Sequence, residues 1–256
     1  MRTMHPACGA RRLGVFAVLG FMGLACGGDS ESQLGGSTGA DSGQAQSDGA
    51  DTGGSESAGS SSGLVANAGF EQQVLADGEL DFTAAPDGWR RYDPGSVIDG
   101  NMNVVGVLNP NGTALFPDGA PEGDNVALVF LWNTQTDGVP AGIAQRLSTQ
   151  LTVDTQYTLR VQVGNIAVSQ GAAFDLDGFP GYRIELVAGS TVLVADDNTL
   201  APSEGEFELS ELTFTASASD AALGEDLEIR LINLSTPESG IEVNFDDVEL
   251  ELTAPQ

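Results

Sequence analysis

No lysine occurs anywhere in this 256-residue chain; its single histidine is His5 and its only cysteines are Cys8 and Cys26. All nine basic residues are therefore arginine, set against 37 acids for a formal net charge of -28. From residue 64 onward no side chain carries an imidazole, a thiol or an amine. That excludes His-dependent triads, cysteine nucleophiles, Schiff-base lysines, a phosphate-binding P-loop lysine and zinc sites built on His or Cys. No disulfide can form within that region either, so a hydrophobic core has to hold it together. A surface this acidic repels phosphate backbones and anionic membrane surfaces, which argues against nucleic acid as a partner and suits cations or plain solubility. Any chemistry in the region must run on carboxylates, hydroxyls or arginine.

What is present begins with an address. Arg11-Arg12 precede a short apolar run, Leu13–Ala25, and then Cys26. A basic end, a short apolar stretch and small residues describe a secretory signal, and the run is too short for a membrane span of about 20 residues. Met22-Gly-Leu-Ala-Cys26 resembles the lipobox of bacterial lipoproteins, with Gly23 where Leu is usual. The resemblance implies cleavage after residue 25 and lipidation of Cys26. Gly27 stands where an Asp would resemble an inner-membrane retention signal, so the expected location is the outer membrane or cell surface, with the lipid as the only membrane contact. Residues 26–63 are Gly, Ser, Ala, Asp, Thr and Gln with almost nothing apolar. Such a tract cannot bury enough surface to offset ordering and reads as a flexible tether.

From Leu64 the texture changes to short apolar runs separated by turns. Strands are expected over 103–107, 125–132, 143–147, 157–163, 182–187, 191–195, 207–215, 227–234 and 241–252. Alternation is plainest in Tyr157-Thr-Leu-Arg-Val-Gln-Val163, and Ala188-Gly189-Ser190 joins two runs as a hairpin turn. No helix of ten residues is evident. Some ten strands, each with one apolar face, predict an all-β domain over 64–256: an antiparallel β-sandwich or jelly roll. In Ile241–Leu252 the parity of the apolar residues changes after Phe245, which predicts a β-bulge at Asp246-Asp247. Phe207–Thr215 shows the same change and predicts a second bulge. Bulged strands curve a sheet, and a concave outer face is where an extended ligand would lie. The long loops 77–90, 110–124 and 167–181 are expected to cap one end of the sandwich.

Asn67-Ala-Gly-Phe-Glu71, Gly88-Trp89, Gly123-Asp-Asn-Val-Ala127 and Phe245-Asp-Asp-Val248 together resemble the galactose-binding-domain-like jelly roll of carbohydrate-binding modules. Ala144–Ser148, Tyr157–Asn165, Gly181–Gly189 and Glu228–Leu234 resemble more closely a group of uncharacterised bacterial surface proteins, many carrying a PEP-type sorting tail; Thr253-Ala-Pro-Gln256 shows no such tail. The first resemblance implies a structural Ca²⁺ held by Glu71 and by Asp246 or Asp247, hard oxygens of the kind that ion takes. It also implies a glycan or surface-polymer ligand, for which Trp132 and Tyr92 are the candidate stacking side chains. Trp89, Tyr157 and Tyr182 are expected in the core, Arg90-Arg91 in ion pairs with local Asp, and Asp175-Leu-Asp-Gly178 in a plain turn.

These readings add up to a surface-anchored lipoprotein presenting a non-catalytic binding module. A structural or adhesive protein with protein partners is the alternative. A carboxylate-based glycoside hydrolase is a third reading, for which no pair of acids is singled out by its context.

Overall fold

Short β-branched runs broken by Gly, Pro and Asp leave the chain no option but strands, and the computed structural model contains no helix among its described residues, 63–132, 138–168, 174–237 and 239–254. Cys26 and the tether lie outside them. Eleven strands form: β1 (Leu80–Asp81), β2 (Arg90–Tyr92), β3 (Asn103–Leu108), β4 (Val126–Leu131), β5 (Ala141–Gln150), β6 (Gln156–Asn165), β7 (Tyr182–Ala188), β8 (Thr191–Asp197), β9 (Glu206–Thr215), β10 (Asp226–Asn233) and β11 (Glu242–Thr253). Nine answer to the expected runs; β1 and β2 are too short to carry a periodic signal. All pairings between them are antiparallel. One sheet runs β1-β3-β4-β11-β6-β9 and the other β2-β5-β10-β7-β8. This is the antiparallel sandwich the alternation predicts.

The core lies between the sheets. Val105, Val129, Val243, Phe245, Leu159 and Val161 point into it from the first sheet, and Ile143, Leu231, Ile184 and Leu186 from the second. Tyr157 and Tyr182 are fully buried there, and Trp89 is buried beside Phe70 with ring centroids 5.5 Å apart. Tyr182 ends in a polar knot: its hydroxyl donates to Asp196 Oδ2 at 2.5 Å, and Ser210 Oγ donates to the same oxygen at 2.6 Å. Burial and the facing carboxylate push the Tyr182 hydroxyl up to about 12.

The bulge in β11 is present: its register against β6 slips between Asp246 and Glu249, and Asp247 takes a positive φ of 48°. The second expected bulge is not. β9 pairs with β6 without a break from Glu206 to Thr215. Its apolar residues serve both faces instead, Leu212 and Phe214 joining the core and Phe207 the opposite side.

That opposite side is where the fold departs most from expectation. β3 and β4 are buried along their whole length, as strands covered on both faces are. Val104, Leu108, Val126, Leu128 and Phe130 form a second apolar cluster with Leu115, Phe116, Ile166, Phe174, Leu176 and Phe207. Leu115, Phe116 and Ala120 of the 110–124 loop, together with Ile166, Phe174 and Leu176, therefore lie over the outer face of the six-stranded sheet and do not cap an end of the sandwich. The chain after β1 crosses the same face so tightly that a Cβ on Gly106 would overlap the backbone oxygen of Asp81. Gly106→Ala is expected to lower the thermal midpoint, at a cost of roughly 1–3 kcal/mol for overpacking against backbone that cannot step aside.

Candidate active site

The two outer faces differ in how their charges are satisfied. On the five-stranded sheet Arg90 pairs with Glu228 at 2.6 Å, Arg230 with Glu228 at 2.7 Å and Glu185 at 3.1 Å, and Arg183 with Asp197 at 2.9 Å. Tyr92 is half-buried here with the Arg230 guanidinium 5.0 Å over its ring. One face of that ring is thus taken by a cation. Arg90 is in an ion pair, but with Glu228 of β10 and not with a local Asp, and each carboxylate named on this face has an arginine partner.

Beneath the cover of the six-stranded sheet the situation reverses. β11 runs between β4 and β6, and Glu242, Asn244 and Asp246 alternate on its outer face, opposite Phe130, Leu128 and Gln162. All three are buried. Glu242 is 7% exposed, its carboxyl accepts one hydrogen bond, from Asn244 Nδ2 to Oε1 at 3.1 Å, and it takes part in no ion pair among the described residues. Burial drives its pKa up to about 7, opposed only by the Asn244 bond. Burying an unpaired carboxyl costs free energy, so the chain does not keep one there for stability; perturbed acids of this kind mark functional sites. Aromatic rings line the neighbourhood. Phe174 packs edge-on against Phe130 at 5.0 Å and against Trp132 at 5.1 Å. Trp132, held by a hydrogen bond from its backbone N–H to Asn103 Oδ1 at 2.9 Å, remains half-exposed at the border of this cluster.

At the far end of the same row the structure brings together the residues read as metal ligands. Asp246 is fully buried; Oδ2 accepts the Glu122 N–H at 2.8 Å and Oδ1 the Asp247 N–H at 2.7 Å. Glu71 Oε1 accepts the N–H groups of Asp124 and Asn125 at 2.9 and 2.7 Å. The bulge places Asp247 alongside, where the next residue, Val248, donates its N–H to Ala68 O at 3.2 Å. Glu122, not singled out by the sequence, completes the group with its carboxylate seated against Gly69. Burial raises the Glu122 pKa, and Glu71 and Asp247 raise it further. Burial pushes Asp246 up to about 8, against the two backbone bonds it accepts and with Glu122 and Asp247 adding repulsion. The carboxylates of Glu71 and Asp246 are turned onto backbone N–H groups, and among the described residues the acids do not converge as a ready-made set of three ligands. The donors are nonetheless all hard oxygens gathered without a cation, a set that fits Ca²⁺.

Trp132 and Tyr92 lie on opposite outer faces of the sandwich, so they do not line one groove for an extended ligand. Besides Glu122, the sequence reasoning missed Glu242. Its position in an alternating strand reads as solvent-facing, and the signal that it is not lies in the neighbouring strand: Val126–Leu131 is continuously apolar, the mark of a strand covered on both sides.

The family model for HpiC1-like proteins, described as HpiC1 cyclase, matches residues 62–251. The chain belongs to that family. Solved structures agree. An apo cyclase from Fischerella sp. is 40% identical, with a TM-score of 0.67 over 75% of this chain and 96% of its own. The Stig cyclase Fisc from Fischerella sp. TAU, crystallised with (3Z)-3-(1-methyl-2-pyrrolidinylidene)-3H-indole, is 37% identical with a TM-score of 0.67, covering 75% and 97%. A cyclase from the same source in complex with 4-(1H-indol-3-yl)butan-2-one is 38% identical with a TM-score of 0.65 over the same shares. No curated protein sequence matches.

Membership of a cyclase family corrects the expectation of a non-catalytic, surface-displayed module for glycan or surface polymer, and with it the absence of enzymatic activity. The jelly-roll architecture was read correctly; the functional analogy drawn from it was not, because a fold does not carry an activity. The relatives with known ligands hold small indole compounds, not sugars.

Proposed function

We propose that this protein is a cyclase that closes a ring on a small, neutral, indole-like aromatic substrate, with Glu242 as the proton donor. The observation that carries the reading is a carboxyl with no ion pair among the described residues, buried in register with Phe130 and raised to about 7 by burial. Ring closure of this type is an isomerisation. Glu242 delivers a proton to a π-bond of the substrate, an internal π-bond or lone pair attacks the cation so formed, and the carboxylate takes a proton back from the ring-closed cation. Nothing is added or lost, which suits a site made of one acid and apolar walls. An acid works best when its pKa lies close to the operating pH, and the faces of Phe130, Trp132 and Phe174 stabilise a passing cation through their quadrupoles.

The reading includes a calcium ion held by Glu71, Glu122, Asp246 and Asp247, supported by their oxygen-only chemistry and by the mutual repulsion of Glu122, Asp246 and Asp247, with no arginine paired to Asp246 among the described residues. Bound there, the ion would supply fixed positive charge tying β11 to the segments around residues 68–71 and 122–125.

Binding of 4-(1H-indol-3-yl)butan-2-one to the full chain, followed by isothermal calorimetry, tests the placement of the site. Trp132→Ala and Phe174→Ala are expected to weaken it by about 10-fold or more each, the loss of one aromatic contact together with its buried area. Tyr92→Ala, on the opposite face, should leave it unchanged. The reverse pattern would move the site to the five-stranded sheet and remove Glu242 from the chemistry.

A further inference from the structure

We propose that Asn244 is a positioning residue for Glu242: its amide N–H engages one carboxyl oxygen and leaves the other to carry the proton toward the substrate. The inference rests on the reading of Glu242 as the acid. Asn244 is fully buried. Its Nδ2 donates to Glu242 Oε1 at 3.1 Å and to the Ala127 backbone oxygen at 3.4 Å. A backbone carbonyl can only accept, so the amide nitrogen is the end that must face Ala127, and this settles the orientation of the side chain. Within the neutral carboxyl of Glu242, the oxygen that accepts an N–H is the carbonyl oxygen. The hydroxyl hydrogen is then on Oε2.

The other end of the amide shows that this arrangement is not kept for stability. Asn244 Oδ1 is buried and has no hydrogen-bond partner. An orphaned buried acceptor carries a desolvation cost, and the neighbouring outer-face positions on β4, Val126 and Leu128, are aliphatic. An aliphatic residue at 244 would fill the same place without that cost. What it would lack is the N–H. Among the described residues no other polar side chain bonds Glu242. Phe130 is its register partner on β4, the cluster from Ile166 and from Phe174 and Leu176 in the cover is apolar, and no charged group contributes to its titration. The N–H also stabilises the carboxylate left behind once the proton has gone, which keeps the acid within range of giving and reclaiming a proton at the same pH.

The test follows the carbonyl band of the protonated carboxylic acid by infrared difference spectroscopy across pH, in the full chain saturated with Ca²⁺. The band is assigned to Glu242 by its loss in Glu242→Gln. Asn244→Leu should raise the midpoint of that band by about one pH unit, a tenfold change in acidity, as expected for one hydrogen bond to the charged form. Asn244→Ala, which removes the donor without adding bulk, should do the same, and binding of 4-(1H-indol-3-yl)butan-2-one should stay within about threefold in both, since the hydrogen bond lost acts on the acid and not on the ring contacts. An unshifted midpoint in either folded variant would overturn the role of Asn244 and leave Glu242 standing. If Glu242→Gln removes no band that titrates near neutrality, the reading of Glu242 as the acid fails and this inference falls with it.

Discussion

Glu242→Gln is expected to slow ring closure by a factor of about 10²–10⁴, the usual worth of a positioned general acid, while leaving the fold intact and binding of the indole probe within a few-fold. Glutamine keeps the shape of the side chain and still offers an oxygen to Asn244 Nδ2, so only the transferable proton is removed. The assay is chromatographic: a product of the same mass as the substrate that forms with wild type and not with the variant. A second readout needs no substrate. Burial raises the Glu242 pKa from its ordinary 4.5 to about 7. A carboxyl raised in the folded state contributes stability that is fully present below about pH 4.5 and is lost as pH climbs through about 7, because the unfolded chain gives up its proton first. The loss across that window is about 3 kcal/mol. In a domain of this size it corresponds to roughly 6–12 °C of thermal midpoint. Wild type should therefore melt progressively lower than Glu242→Gln between pH 5 and pH 8, with saturating Ca²⁺ in both samples. Equal pH slopes in the two proteins would mean that Glu242 is not held neutral, and retained ring closure in the variant would dismiss it as the acid.

The difference between what the sequence reveals and what it hides is a difference between one-sided and two-sided strands. Tyr157–Val163 alternates cleanly because one face meets the core and the other meets water, and it was placed without error. The bulge at Asp246-Asp247 was legible for the same reason: the core face of β11 has to keep its apolar residues inward, so the extra residue shows as a change of parity. β9 breaks the rule because it serves apolar neighbours on both faces, Phe207 stacking on Phe116 at 4.5 Å while Leu212 enters the core. The same second layer hides the site. Glu242 and Asn244 sit at positions that are polar in an ordinary alternating strand, and nothing local distinguishes a polar residue facing water from one facing a lid. Only residues folded over the sheet from elsewhere in the chain, Leu115, Phe116, Phe174 and Leu176 among them, make that distinction. Absences misled as well. The lack of histidine, cysteine and lysine removes most catalytic machinery but not a single carboxyl tuned by its surroundings, and tuning is a tertiary property.

The acid cluster at the bulge leads to the other large effect. Ca²⁺ in saturating excess is expected to raise the thermal midpoint by about 5–10 °C over the same protein in EDTA, since a ligand at about 100 times its dissociation constant stabilises the native state by about 2.7 kcal/mol. The argument starts from repulsion. Glu122 feels Glu71 and Asp247, and Asp246 feels Glu122 and Asp247, with no cation in the group. A divalent ion converts each of these repulsions into an attraction, and it binds only where β11, the turn after Ala68 and the loop before Asn125 are assembled, so its binding free energy counts toward folding. Mg²⁺, which demands a tight octahedron and holds its water, should do much less. Asp246→Asn separates the metal from the fold. It removes a buried charge whose folded-state pKa is raised to about 8 from 3.8, a shift whose stability is present below the ordinary value and lost as pH rises through the raised one. Asn keeps only one of the two acceptors that the Glu122 and Asp247 N–H groups use, which offsets that gain; in EDTA at pH 8 the variant should therefore melt near wild type, and in Ca²⁺ well below it, because it has lost a ligand. A difference that opens only with the ion cannot come from packing, which is indifferent to it. An equal midpoint in EDTA and Ca²⁺ for wild type would rule the ion out, and the cluster would then stand as four acids of which Glu71 and Asp246 are held by backbone N–H groups.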